Sequence, residues 1–441
     1  MRVKIQVRKT ENKFPWESLA LSLFLILSVQ FIDHNLLFAP FLIQLYRILR
    51  YGEHVFMVDW AILVNFATIF RLPIGGAVGI LVIIAAIWFL LHKQRYRLTC
   101  ALMILPILVI YLFFRASGKM EDYLFISSTL IVSYLLINQC TTQDSVRVAK
   151  GFVFGILLAS IYGFIFRGSA AITYYIAEDS TAIYGVEDAL RFRAIFGDSN
   201  YYSCYLILGI ILAIELYILR QSNLIQTMVV LVLLSGFGVA TYSRTFFLML
   251  AVLLVYSIYL LFKNGKKAVA CCLTAVITII VGMVGAGKIS AFDVVLARFF
   301  SADGLSGMTS GRSGLLTHYG TYILENTPVL IFGKGLNADL LGKIGTHNLY
   351  IEILYFIGSV GGLLYASYLF SLIKMVRSRR GRYHWKQTVL SVLPICFMLM
   401  LYFSLQGMFM TATYTLFFIA ISAMLLPSIS STERGATKYV N

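Results

Sequence analysis

Long apolar runs without a charge set the first limit on what this chain can become. Leu224 to Thr241 and Thr245 to Phe262 are each 18 residues long and contain no Asp, Glu, Lys or Arg. At about 1.5 Å per residue, a helix of that length covers most of a hydrocarbon core of about 30 Å. A transmembrane β-barrel needs short alternating segments, and these runs are continuous. Composition agrees, because 59% of the 441 residues are hydrophobic and 13% are charged, against about half and about a quarter in soluble domains. The sequence therefore predicts an all-α, polytopic membrane bundle forming a single integral domain over 1–441.

Hydropathy places spans near 16–37, 73–92, 98–114, 122–140, 148–167, 200–220, 224–241, 244–262, 267–286, 347–374, 387–405 and 411–427, about twelve in all. The first follows the basic stretch MRVKIQVRKTENK and lacks a small-residue cleavage site, so it reads as a retained helix rather than a signal peptide. Residues 39–72 carry Arg47, Arg50, Glu53, His54 and Asp59 among apolar neighbours and read as interfacial or re-entrant.

A formal charge of +16 invites a nucleic-acid partner until its distribution is examined. With a cytoplasmic N-terminus, the cytoplasmic segments collect 22 Lys/Arg against 5 Asp/Glu, and the opposite side has 14 against 15. The basicity is thus the positive-inside signature of an oriented membrane protein, with both termini cytoplasmic and no nucleic acid implied. Cys100, Cys140, Cys204, Cys271, Cys272 and Cys396 lie in or beside apolar runs without CxxC spacing, so neither a disulfide framework nor a metal site is indicated. No GxxxxGK[ST] sequence occurs, which argues against a nucleotide motor.

Two external loops are long, 168–199 and 288–346, and long loops above a bundle tend to be functional or disordered. In the second, Thr309, Ser310 and Gly311 resemble a helix start, and Leu315, Leu316, Tyr319, Tyr322 and Ile323 recur at helical spacing before Asn326 and Pro328. This predicts a surface helix with Arg312 in its first turn. Free N–H groups and a guanidinium fork suit a phosphate there, and a solvated arginine fits the spacing equally well. Gly333-Lys334-Gly335 offers close backbone approach plus a charge, or a plain tight turn. His347 and Asn348 follow at the entrance of the tenth span. An imidazole there suits general-base work or hydrogen bonding, though a lone interfacial histidine is often structural. Glu352 shares a helical face with Asn348 rather than His347, so no His-Glu dyad is expected.

His347-Asn348, nine residues, then Gly358-Ser359-Val360-Gly361 resembles the His-Asn-x9-Gly-x-x-Gly signature of the O-antigen ligase and O-antigen polymerase superfamily of bacterial envelope glycosyltransferases. Arg193 through Asn200 resembles that family's Arg/Gly/Asn approach to a helix, and Thr241-Tyr242-Ser243-Arg244 its external turn bearing a Ser-Arg pair. Arg312, Pro328 and Gly333-Lys334-Gly335 resemble the run before the histidine. The likeness spans roughly 190–365; Ser199-Asn200 stands where the family commonly has Pro-Asn, and the aromatic often found after the loop arginine is absent.

The resemblance implies a GT-C-like bundle in the bacterial cytoplasmic membrane, with a metal-independent site on its external face. The implied reaction transfers a glycan from a polyprenyl-diphosphate donor to a glycan acceptor among membrane lipids. A chain-length regulator and a flippase are the implied partners, and no cofactor is required. His347, Arg312 and Arg244 are the expected catalytic residues; Arg193, Asn200, Lys334, Gly335 and Asn348 the expected substrate-binding ones. The preferred reading is a polymerase of lipid-linked repeat units for O-antigen, capsular or exopolysaccharide. A ligase that hands finished glycan to lipid A-core shares these motifs. A lipid-linked oligosaccharide flippase or transporter, which would show ionisable residues at mid-membrane depth and two related halves, and a structural scaffold are the readings from other classes.

Overall fold

The computed structural model of the chain describes residues 16–73, 75–92, 99–116, 120–166, 191–263, 312–341, 345–378, 394–399 and 411–426. The expected span at 267–286, most of that at 387–405, the helix start at 309–311, most of the expected external loop at 168–199 and residues 288–311 of the one at 288–346 lie outside the described residues.

Within them the chain is helical. The helices are α1 (Trp16–Ser28), α2 (Phe38–Tyr51), α3 (Glu53–Leu63), α4 (Ala77–Leu91), α5 (Cys100–Arg115), α6 (Met120–Gln139) and α7 (Thr142–Ile165). Then come α8 (Ser199–Ile218), α9 (Leu224–Ala240), α10 (Arg244–Lys263), α11 (Arg312–Glu325), α12 (Thr327–Phe332), α13 (Leu349–Ser378) and α14 (Thr411–Ala423). An antiparallel ribbon of two residues per strand, Arg71–Leu72 with Gly75–Gly76, leads into α4. Among the described residues, four helices are long and apolar enough to cross a membrane, namely α6, α7, α8 and α13. Shorter apolar helices surround them, and the whole is an all-α protein of membrane type.

Polar caps start the long helices where the hydropathy changes. The Thr141 hydroxyl and Asp144 carboxylate form a reciprocal capping box on α7. Asp198 accepts from the N–H groups of Asn200 and Tyr201 at the head of α8, and Asn223 accepts from Gln226 N–H at the head of α9.

Residues 39–72, expected to be interfacial or re-entrant, are well built. They form a helical hairpin, α2 and α3, that turns at Gly52 (φ 73°), and α3 packs lengthwise on α7. Close approach depends on glycine. A Cβ on Gly155 would stand 2.6 Å from Asn65 Nδ2 and 3.0 Å from the Ile62 carbonyl oxygen. Trp60 is stacked between Phe56 and Phe418, with centroids 5.9 and 4.9 Å away. The charges that suggested an interface are buried because they are paired. Arg47 donates to Asp59 through Nε at 2.6 Å and Nη2 at 2.8 Å, with side chains 0% and 1% exposed, the two-pronged geometry that compensates ion burial best. At the tip, His54 Nδ1 meets Asp144 Oδ2 at 2.9 Å, and this hydrogen bond raises the imidazole pKa above its ordinary value.

Two boundaries also differ. The first helix stops at Ser28 and continues to Leu37 as two 3-10 turns, the second capped by Asp33. Pro328 does not merely end a helix; it opens α12 in the first turn, where its missing N–H is harmless.

Candidate functional site

The sequence-predicted residues fall into two groups. The first is built where the segment before α8 meets the turn between α9 and α10. Arg191-Phe192-Arg193 leads towards α8, and Phe192 N–H donates to the Ala240 carbonyl at 2.9 Å. Arg191 donates through Nε to the Thr241 carbonyl at 3.1 Å and through Nη2 to Asn200 Oδ1 at 3.2 Å. The same Asn200 oxygen accepts from Ser243 Oγ at 3.0 Å. Ser203 Oγ reaches Thr241 Oγ1 at 3.2 Å, so α8 grips the turn by a second hydroxyl. Arg244 follows directly as the first residue of α10, half-buried.

Asn200 and Arg244 are therefore brought to one junction. Arg193 belongs to the same loop, but its guanidinium donates to Gly197 O within its own turn at 3.1 Å. The residue that joins the two segments is Arg191, which sequence reasoning missed. No signal in the sequence separates it from Arg193, because the two arginines stand two residues apart before the same helix.

The second group centres on a break in α13. Gly358 has φ 66° and ψ −176° inside that helix, which frees carbonyls one turn back. The Gly333-Lys334-Gly335 strip supplies their donors: Lys334 N–H reaches the Tyr355 carbonyl at 2.7 Å and Gly335 N–H the Phe356 carbonyl at 3.0 Å. Both flanking glycines have positive φ, 74° and 104°. A Cβ on Gly333 would be 2.4 Å from Phe356 backbone atoms, and one on Gly358 would be 2.4 Å from Gly333 N.

From α5, Tyr111 Oη lies 2.7 Å from the Ile357 carbonyl oxygen and 3.0 Å from that of Phe332. Arg115 donates to the Gly333 carbonyl, and its own carbonyl accepts from Leu336 N–H at 2.7 Å. The tripeptide is thus a clip that closes a broken helix. Lys334 Nζ lies over the rings of Tyr322 and Tyr355, at 5.1 and 5.8 Å from their centroids. A hydrogen bond with Tyr322 is the largest cause holding its pKa above the usual lysine value.

Arg312 is the first residue of α11. Of the expected apolar face, Tyr319 and Ile323 are buried and Leu316 remains 47% exposed. The helix packs on α13, with Tyr319 edge-on to Tyr355 at 5.2 Å, so this face meets protein rather than a membrane surface.

Asn348 caps α13, its Oδ1 accepting from the N–H groups of Tyr350 and Ile351 at 3.0 and 3.2 Å. His347 precedes it with φ 48°. Ala194 and Tyr242, in the other group, have φ of 49° and 47°. Non-glycine residues held in this region tend to cluster at functional sites, and three such residues fall in the three loops singled out from sequence. A fourth, Arg220, lies elsewhere.

Between the groups runs a buried polar seam. Tyr414 on α14 stands within electrostatic range of Tyr201 on α8 and of Glu352 and Tyr365 on α13. Glu352, 5% exposed, donates its backbone N–H to the Asn348 carbonyl at 3.0 Å. Chemically, the first group presents arginines on hydroxyl- and amide-braced backbone, and the second presents a cation on aromatic faces. Both suit an anion with apolar substituents better than a neutral solute. Among the described residues, no three His, Cys, Asp or Glu side chains gather closely enough to hold a metal ion. No protein-family model matches the chain, and no curated protein or solved structure matches it.

Proposed function

We propose that this protein is a glycosyltransferase that polymerises polyprenyl-diphosphate-linked oligosaccharide repeat units at the outer face of a bacterial cytoplasmic membrane. The observation that carries the proposal is the Arg191–Asn200–Ser243 junction, which unites two segments some forty residues apart and sets Arg244 at their meeting point. In this proposal about twelve spans form a GT-C-like bundle with both termini cytoplasmic.

The acceptor hydroxyl attacks the anomeric carbon, the sugar–phosphate bond breaks, and its electron pair leaves with the lipid diphosphate. Arg244 and Arg312, with Arg193 third, stabilise the charge that develops on the phosphate oxygens; such fixed groups in a water-poor site supply much of a rate enhancement. His347 orients the hydroxyl and takes its proton. Asn200, Lys334, Gly335 and Asn348 shape the substrate site. For Asn348 and Gly335, the cap and the clip support a part played through backbone placement.

Alanine at Arg244 or at His347, in variants shown to insert correctly, is expected to remove long polymer, with a rate loss of about a hundredfold or more. Normal polymer length from both would sink the proposal. Purified protein given only lipid-linked repeat units separates polymerase from ligase, because chain growth without a lipid A-core acceptor excludes a pure ligase.

One observation favours a second reading. The buried Arg47–Asp59 pair is an ionic feature inside the bundle, as transporters and flippases often carry. It is closed by two direct hydrogen bonds, which suits a structural tie. Movement of labelled lipid-linked sugar across vesicles containing only this protein would establish the transporter reading instead.

A further inference from the structure

His54 ties the tip of the α2–α3 hairpin to the body of the protein. From Phe56 to Leu63 every residue of α3 is buried, whereas residues 51–55 at the tip are exposed or half-buried. The helices turn at Gly52, where φ is 73° and a Cβ would meet nothing within 4 Å. The tip therefore lies outside the packed run. Across the gap to α7, His54 Nδ1 stands 2.9 Å from Asp144 Oδ2.

That oxygen already accepts the Thr141 N–H at 2.9 Å and the Thr141 hydroxyl at 2.7 Å. One residue on, Ser145 Oγ donates to the Ser422 carbonyl of α14 at 2.8 Å. Hairpin, α7 and α14 thus meet at one knot, whose carboxylate is 4% exposed and whose imidazole is 43% exposed. An ionised carboxylate only accepts, so Nδ1 carries a proton, and the proton on Nε2 sets the charge of the ring. A charged ring makes a bond roughly twice as strong as a neutral one. The charges around it are Asp144 and Arg147 of α7, Glu53 beside it, and the exposed Arg50 in the last turn of α2. The bond to Asp144 is the largest influence and raises the imidazole pKa against the opposing effect of burial.

We infer that His54 and Asp144 form a proton-operated latch, tight while the imidazole is charged and slack when it is neutral, that fixes the hairpin tip on the head of α7. The inference does not depend on the glycan-transfer reading. Because the folded-state pKa lies above the ordinary value of about 6.5, the latch contributes fully below that value and fades as pH rises through the folded one. Slackening is local, since the buried run from Phe56 and the Arg47–Asp59 pair lie beyond the tip.

The test uses full-length protein in nanodiscs and hydrogen exchange, corrected for its intrinsic pH dependence, from about pH 5.5 to about pH 8.5. Opening of residues 50–57 should rise about threefold or more across that range, with residues 199–218 unchanged as the reference. His54→Gln keeps a hydrogen-bonding side chain that does not titrate, and should remove the rise. Asp144→Asn keeps an oxygen for the Thr141 donors without the charge, and should flatten the profile too. In proton NMR the His54 ring signal, identified by its loss in His54→Gln, should titrate with a midpoint above the ordinary value in wild type and a lower one in Asp144→Asn.

A rise of equal size in His54→Gln overturns the inference, because the tip would then respond to some other group. A wild-type midpoint at or below the ordinary value also overturns it, and that measurement does not depend on Asp144→Asn folding. So does a folded Asp144→Asn protein whose His54 midpoint is unmoved.

Discussion

The junction before α8 and the clip on α13 solve the same problem with different groups. Both hold an irregular strip of backbone against the end of a long apolar helix. At the junction the bonds come largely from side chains, with Arg191, Asn200, Ser203 and Ser243 reaching across to one another and to the Thr241 turn. At the clip backbone N–H groups join the two strips, with Tyr111 and Arg115 of α5 donating to their carbonyls from outside, and the close approach rests on the residues with no side chain, Gly333 and Gly358. A side-chain clasp can be loosened one group at a time. A backbone clip depends on whether two strips can approach at all.

That difference predicts an order of effects. Gly333→Ala and Gly358→Ala each force a Cβ to within 2.4 Å of backbone atoms at positive φ, so each should destabilise the detergent-solubilised protein by about 3 kcal/mol or more. Gly197→Ala, with open space around it, should stay within about 0.5 kcal/mol in the same thermal unfolding series. Similar values for all three would erase the distinction.

Arg191→Ala removes two charge-assisted bonds and should cost about 2 kcal/mol. It should also reduce polymer formation, whereas Arg193→Ala should cost less stability because its bond to Gly197 is local. Ser243→Ala should cost about 1 kcal/mol, and a double-mutant cycle with Asn200→Ala would show whether their hydrogen bond carries it.

Among the substitutions that remove a contact, the smallest effect belongs to Lys334→Met, which leaves every backbone bond of the clip in place and removes a cation from two rings, worth about 0.5–1 kcal/mol. Its pH dependence has a definite sign. The folded-state pKa of Lys334 lies above its ordinary value, so its contribution is present below that ordinary value and fades as pH rises through the folded one. A melting-temperature difference between wild type and Lys334→Met that grew with alkalinity would contradict the cation's place over Tyr322 and Tyr355.

Much of the helical frame was legible in the sequence because hydropathy reports it directly. The heads of α5, α8, α9, α10 and α13 fall within two residues of expectation. What escaped was contact between distant residues. Arg193 was singled out and Arg191 passed over; which guanidinium spans to Thr241 is decided by a backbone path that the sequence does not display. Gly333-Lys334-Gly335 looked like a turn or a ligand loop because its partners lie in the broken segment of α13, some twenty residues on. The ion pair of the α2 and α3 hairpin escaped because each charge was counted singly. Arg47 and Asp59 are acceptable inside only as a pair, and pairing is invisible to a sum over residues.

The same pair constrains how the chain is assembled. Arg47 and Asp59 stand on opposite legs of the hairpin, 12 residues apart. Presented alone to the bilayer, either ion at the centre of an inserting helix costs about 2.5–3.5 kcal/mol. Neither short helix has the length to offset that by itself. Joined across the hairpin the two ions offset one another's burial, and the leg that carries Asp59 lies against α7.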